Sequence, residues 1–246
     1  MTPSKSSQTL LSWLTALLVT ITLILLAVRL LLFPAFPAIE YRMPGFPADP
    51  YGFTLDQRLE YSRLSILYLT NDADISFLGD LRFPEGQQAP PSSCQPPEDC
   101  THLFNDRELG HMLDVKNTVK AAMWVLNGAL IVLLGLAFWA WRGGWSAAYQ
   151  RGLERGGWLT IIVIGAVLLF VILAFNIIFV LFHQVFFQAG TWTFPTSDTL
   201  IRLFPERFWQ DTFLALVLLA GGLGALLALL LRKARLYSLT AQTPQS

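Results

Sequence analysis

The stretch WLTIIVIGAVLLFVILAFNIIFVLFHQV, residues 158–185, decides the fold, because it contains no Asp, Glu, Lys or Arg. A helix crosses the bilayer's hydrocarbon core with about 20 mainly apolar residues. This run exceeds that length and lacks the strict alternation of a half-buried strand. Working outward from it, three further segments qualify: 10–33, 119–141 and 213–231. Composition agrees, with 54% hydrophobic and 14% charged residues, where soluble domains carry about 25% charged. The first run is longer than the apolar region of a signal peptide, about 7–15 residues, and has no small-residue cleavage site. It ends in Phe33-Pro34-Ala35-Phe36-Pro37 and is expected to stay as an anchor. Net charge is zero, and no Gly-rich phosphate loop, zinc-finger spacing or basic patch with interleaved aromatics is present. Nucleic acid is excluded as a partner.

Orientation follows from the excess of Lys and Arg in short cytoplasmic loops. The 142–157 loop carries Arg142, Arg151 and Arg155 against Glu154, and the 232–246 tail carries Arg232, Lys233 and Arg235 without an acid. Lys5 precedes the first span. Both termini are therefore expected in the cytoplasm, with 34–118 and 186–212 outside. The near-repeat Arg142-Gly143-Gly144-Trp145 and Arg155-Gly156-Gly157-Trp158 reads as two interfacial anchors. Gly221, Gly222 and Gly224 read as a site of close helix packing.

The expected fold is a mostly α membrane protein, a bundle of four transmembrane helices capped by a small extracytoplasmic α/β segment. Within 34–118, Thr54-Leu55-Asp56-Gln57 has capping-box form and opens an amphipathic helix to about Thr70, with Leu55, Leu59, Ile66 and Leu67 on its apolar side. Segments 75–83 and 102–104 are short and apolar and pair as a small hairpin. Asn105-Asp106-Arg107-Glu108 opens a helix that continues into the second span. Cys94 and Cys100 flank a Pro-rich stretch. An outside location permits a disulfide between them, and two unpaired thiols are the alternative.

The three histidines are His102, His111 and His183. His102 adjoins the Pro-rich loop and reads as structural. His111, Asp114 and Asn117 share one helix face at i, i+3 spacing, where a carboxylate can fix an imidazole's tautomer. His183 closes the third span, and polar groups at membrane depth mark functional or interhelical sites. A short loop makes the second and third spans antiparallel neighbours, so His111 and His183 converge near the outer headgroups. The loop beyond adds Trp192, Asp198, Arg202, Glu206 and Asp211, and the first span adds Arg29 near its outer end. No His-Glu-x-x-His or comparable ligand spacing appears, so no metal and no cofactor is expected. The absence of Gly-x-Ser-x-Gly argues against a serine hydrolase.

Two stretches carry more. Phe104-Asn105-Asp106-Arg107-Glu108-Leu109-Gly110-His111-Met112-Leu113-Asp114-Val115 is one. The other runs from Phe182-His183-Gln184-Val185-Phe186-Phe187 through Trp192 and Asp198-Thr199-Leu200-Ile201 to Leu203-Phe204-Pro205-Glu206-Arg207-Phe208-Trp209. With the order of spans, they resemble the lipoprotein intramolecular transacylases of Gram-positive bacteria. The Cys94–Cys100 loop is an insertion outside that pattern.

The resemblance implies a multi-pass protein of the bacterial plasma membrane that acts on diacylglyceryl-modified lipoproteins within membrane lipid. It implies transfer of one ester-linked acyl chain from glycerol to the α-amine of the N-terminal cysteine, leaving a lyso-form lipoprotein. By match, His111 and His183 are the catalytic pair. Gln184, Asp114, Asn117, Glu108, Arg107, Asp198, Trp192 and Arg29 are expected to bind substrate or support the pair. Gln184, Asn117 or an imidazolium is expected to meet the oxyanion, and an acyl-enzyme on Thr191 or Thr193 is a variant scheme. The rival reading is a non-catalytic scaffold or receptor whose outer loops bind a partner.

Overall fold

The computed structural model describes residues 2–95 and 97–240, with side chains through residue 237. Among the described residues, eight helices follow one another: α1 (Lys5–Leu31), α2 (Ala35–Glu40), α3 (Leu55–Thr70), α4 (Ser76–Gly79), α5 (Asp106–Arg142), α6 (Ser146–Phe186), α7 (Thr199–Leu203) and α8 (Glu206–Thr240). Four of them, α1, α5, α6 and α8, are long and apolar enough to cross a membrane. Their large apolar side chains stay outward, among them Ile131, Leu134, Leu169 and Leu218. That distribution is stable only where the surroundings are as apolar as the side chains. The chain is a multi-pass membrane protein.

Two compact units divide the chain. The first takes the described residues through Leu30, Ala122–Ile172, and those from Leu214 on. Its helices approach through small residues. A Cβ on Gly156 would lie 2.5 Å from Val19 Cβ, and one on Gly157 would lie 2.5 Å from the Gly224 carbonyl oxygen. Thr20 Oγ1 donates to the Gly156 carbonyl at 3.2 Å. Close backbone approach and interhelical hydrogen bonds replace the hydrophobic drive that lipid cannot supply. Gly224 therefore packs as expected, while Gly221 and Gly222 face open space. Trp145 is no interfacial anchor: it is 1% exposed, packed with Leu136, Ala140 and Ala148. The α5–α6 turn that places it needs positive φ at Gly144, +71°.

The second unit takes Leu31–Ala121 and Leu173–Phe213. Its core is aromatic and leucine-rich, built on Phe53, Tyr61, Tyr68, Leu78, Phe83, Leu103, Phe104 and Met112. The Thr54 capping box forms, with Gln57 N donating to Thr54 Oγ1 and Thr54 N to Gln57 Oε1. The buried face of α3 differs from the leucine stripe: it is Arg58, Tyr61, Ser62, Ser65, Ile66 and Tyr68, with Leu55 exposed. Arg58 can be inside because its guanidinium lies over the Tyr41 and Phe46 rings and donates to the Pro47 carbonyl at 2.7 Å. Lys116 is buried against the other end of α3. Its ammonium lies over the Tyr68 ring and donates to Asn71 Oδ1 and the Ala73 carbonyl.

No β-strand forms among the described residues, which corrects the expected α/β cap. The proposed hairpin is reduced to one antiparallel bridge, Arg82 with His102. Asp74 accepts from Ser76 N and starts the helical turn α4 inside the apolar segment. Pro84 then offers no N–H to extend a ladder. Cys94 and Cys100 form a disulfide, and the neighbouring Ser93 donates to Ser197 Oγ at 2.7 Å.

Candidate functional site

The helix that carries His111 is started by a reciprocal cap. Glu108 N donates to Asn105 Oδ1, and Asn105 N donates to Glu108 Oε2 at 2.9 Å. The other carboxylate oxygen of Glu108 accepts from Leu200 N at 2.7 Å, in the first turn of α7. One 1%-exposed carboxylate thus joins the starts of two helices. Asp198 precedes α7 and is fully buried. Its Oδ2 accepts from Arg107 at 3.1 Å and its Oδ1 has no partner. Arg202, at the end of α7, pairs with buried Asp49 and lies over the Phe53 ring. The bonds of Glu108 and Arg107 hold the start of α7 against the first turn of α5, and Arg202 ties the end of α7 to Asp49.

His111 lies in the second turn of α5 and His183 in the last turn of α6. Their ring centroids are 6.1 Å apart with planes inclined by 21°. Both are buried, at 9% and 8% exposure. Aromatic rings enclose them. Phe187 and Phe194 lie 4.9 and 5.4 Å from His111. Phe179, Trp192 and Phe187 lie 4.1, 4.9 and 5.5 Å from His183.

The hydrogen bonding of the two rings differs. His183 Nδ1 is 2.7 Å from the Phe179 carbonyl oxygen. A carbonyl only accepts, so Nδ1 carries the proton and Nε2 of the neutral ring keeps its lone pair. His111 Nδ1 is buried without a partner.

The structure thus brings His111, His183 and Trp192 together. Glu108, Arg107 and Asp198 support the frame and make no hydrogen bond to either imidazole. Asp114 is half-buried and Asn117 exposed, and neither hydrogen-bonds to His111. Gln184 is exposed. Arg29 is on α1, in the other unit. Thr191 Oγ1 donates to the Gln188 carbonyl. His102 pairs with Asp99 at 3.2 Å. Among the described residues, no group of three or more His, Cys, Asp or Glu is placed to hold a metal.

Phe179 and Phe187 were not among the expected site residues, although they are the i−4 and i+4 neighbours of His183 and helical spacing alone would have found them. Phe194 carries no such signal, since a loop brings it to His111.

A sequence model of the family described as lipoprotein intramolecular transacylase Lit matches residues 13–209. The chain belongs to that family. Both histidines and all of the enclosing rings fall inside the transacylase match. An uncharacterized protein of Aquifex aeolicus (strain VF5) is 27% identical over 196 residues, 76% of this chain and 77% of its own length. The in meso structure of the lipoprotein intramolecular transacylase Lit from Bacillus cereus superposes with a TM-score of 0.75 at 19% identity, covering 97% of this chain and 100% of that one. A variant of the Bacillus cereus protein with a histidine replaced by arginine gives a TM-score of 0.69 at 19% identity, covering 96% of each chain. The transacylase fold thus extends over nearly the whole chain.

Proposed function

We propose that this chain is an intramolecular transacylase of lipoproteins. It moves one ester-linked acyl chain from the diacylglyceryl group of a lipoprotein's N-terminal cysteine to that cysteine's α-amine, giving the lyso-form. The observation that carries this reading is the pair of imidazoles 6.1 Å apart inside an aromatic cage, in a member of this family.

The α-amine, with a reference pKa of about 7.7–8.0, must lose a proton to attack the ester. His183 Nε2 is the base, since its other nitrogen is committed to the Phe179 carbonyl. His111 then serves the glycerol oxygen as it leaves. Nucleophile and ester belong to one molecule, so the site's main task is to fold the substrate into attack geometry, which can be worth about 7–11 kcal/mol. The rings keep out water, which would otherwise take the acyl group as free fatty acid. The excess of Arg and Lys in 142–157 and 232–246 supports cytoplasmic termini, which sets the cage on the outer side of the bacterial plasma membrane, where lipoproteins are displayed.

Isotope crossover tests the reaction. The purified chain would receive a mixture of two diacylglyceryl-cysteine lipopeptides, one light throughout, one heavy in both peptide and acyl chains. Intramolecular transfer gives only all-light and all-heavy N-acyl products. Mixed products mean an intermolecular route, and no N-acyl product favours the scaffold reading.

A further inference from the structure

Transfer through a tetrahedral intermediate needs a hydrogen-bond donor for the carbonyl oxygen as it gains charge. Gln184 and Asn117, the amides expected from sequence to meet the oxyanion, are exposed. Trp192 is placed otherwise. Its ring lies 4.9 Å from the His183 ring, and its Nε1 is buried with no acceptor. Folded proteins seldom leave a buried indole N–H unpaired, and a site awaiting a ligand is one reason for keeping one. A donor fixed beforehand in a water-poor cage is the arrangement that favours an oxyanion most, because nothing has to reorganise as charge develops.

We propose that Trp192 is a catalytic residue of the acyl transfer, its Nε1–H donating to the ester carbonyl oxygen as that oxygen becomes an oxyanion. This rests on the transacylase reading. The amine nitrogen forms the new bond to the carbonyl carbon, and the carbonyl π pair moves onto the oxygen facing Trp192. The amine's proton passes to an imidazole. When the carbonyl re-forms, the carbon–glycerol oxygen bond breaks and that oxygen takes up a proton from the histidine pair. An ester and an amine become an amide and a hydroxyl, with no water or co-reactant.

The test uses the full chain in lipid nanodiscs with a synthetic diacylglyceryl-cysteine lipopeptide bearing a free α-amine. Two variants are compared with wild type: Trp192→Phe, and Trp192→β-(3-benzothienyl)alanine, which keeps the bicyclic shape and replaces N–H with sulfur. The expected result is a kcat lowered about 10²- to 10³-fold in both. KM should stay within about threefold of wild type, since the bond forms chiefly in the transition state. The pH profile should keep its shape, because the base is untouched. A benzothienyl variant with wild-type kcat would make the indole a packing element and overturn the proposal. So would a loss confined to KM. A wild-type chain inactive on this lipopeptide overturns the transacylase reading itself, so the two failures are told apart by the wild-type measurement.

Discussion

His183 is gripped from one side and free on the other: Phe179 holds Nδ1 through its carbonyl and packs its ring 4.1 Å away. The ring's orientation is therefore set by its own helix, without a carboxylate, and Asp114 need not orient His111. At this scale Asp114→Ala should leave the transfer rate within about threefold of wild type, whereas removing a general base costs about 10²- to 10⁴-fold. Rates of the purified variants separate the two. The enclosing rings make a different prediction: Phe194→Ala should raise the ratio of free fatty acid to N-acyl product, because water reaches the ester. Chromatography of both products from one reaction checks it. A third residue-scale prediction concerns Glu40, which is 2% exposed with Oε1 unpartnered. Burial and the neighbouring Asp211 push its carboxyl from the ordinary 4.5 up to about 7, with Arg207 opposing. The folded chain then holds a proton that the unfolded chain has lost, so stability falls as pH rises from about 4.5 to about 7. Glu40→Gln should flatten that slope and raise Tm at pH 8, as thermal unfolding across pH will show. The histidines were legible because their positions on helices and within recognisable stretches could be read directly. Their cage was legible only in part, because Phe194 and Trp192 depend on how a loop folds back.

At the scale of elements, Glu108 does what sequence suggested for a cap and also what sequence could not show. The Asn105–Glu108 spacing announces a helix start, but the bond to Leu200 N joins residues 92 apart. Glu108→Ala should lose both caps and cost about 2–4 kcal/mol, read as a lower Tm with the far-UV helix signal retained below it. The same contrast explains the missing hairpin and the unexpected face of α3. Local patterns rank Arg58 as a surface residue, and the Tyr41 and Phe46 rings with the Pro47 carbonyl, arriving from elsewhere in the chain, make its burial favourable. The long apolar helices were legible throughout, since an uncharged run of that length has few other fates. Which of their glycines pack was not, because it depends on the facing helix. Gly157→Val should abolish accumulation in the membrane, given a Cβ that would sit 2.5 Å from the Gly224 carbonyl, while Gly221→Val should accumulate normally. Immunoblots of membrane fractions distinguish them.

At the scale of the molecule, a disulfide-clipped segment, four apolar helices and a buried histidine pair belong to one membrane protein of the transacylase family. Closing so short a loop by the Cys94–Cys100 bond is worth about 2 kcal/mol in the chain-entropy account, so Cys94→Ser with Cys100→Ser should lower Tm modestly and leave transfer measurable. The decisive measurement is the N-terminal lipopeptide of an abundant lipoprotein, read by tandem mass spectrometry from a bacterium that makes diacylglyceryl lipoproteins and expresses this chain. If the histidine pair carries the transfer, the wild type gives an acyl chain on the cysteine nitrogen, and His111→Ala or His183→Ala variants that accumulate equally give only the diacylglyceryl form. Unmodified amines under full expression of the wild type, or N-acylation that survives loss of either histidine, would contradict this expectation.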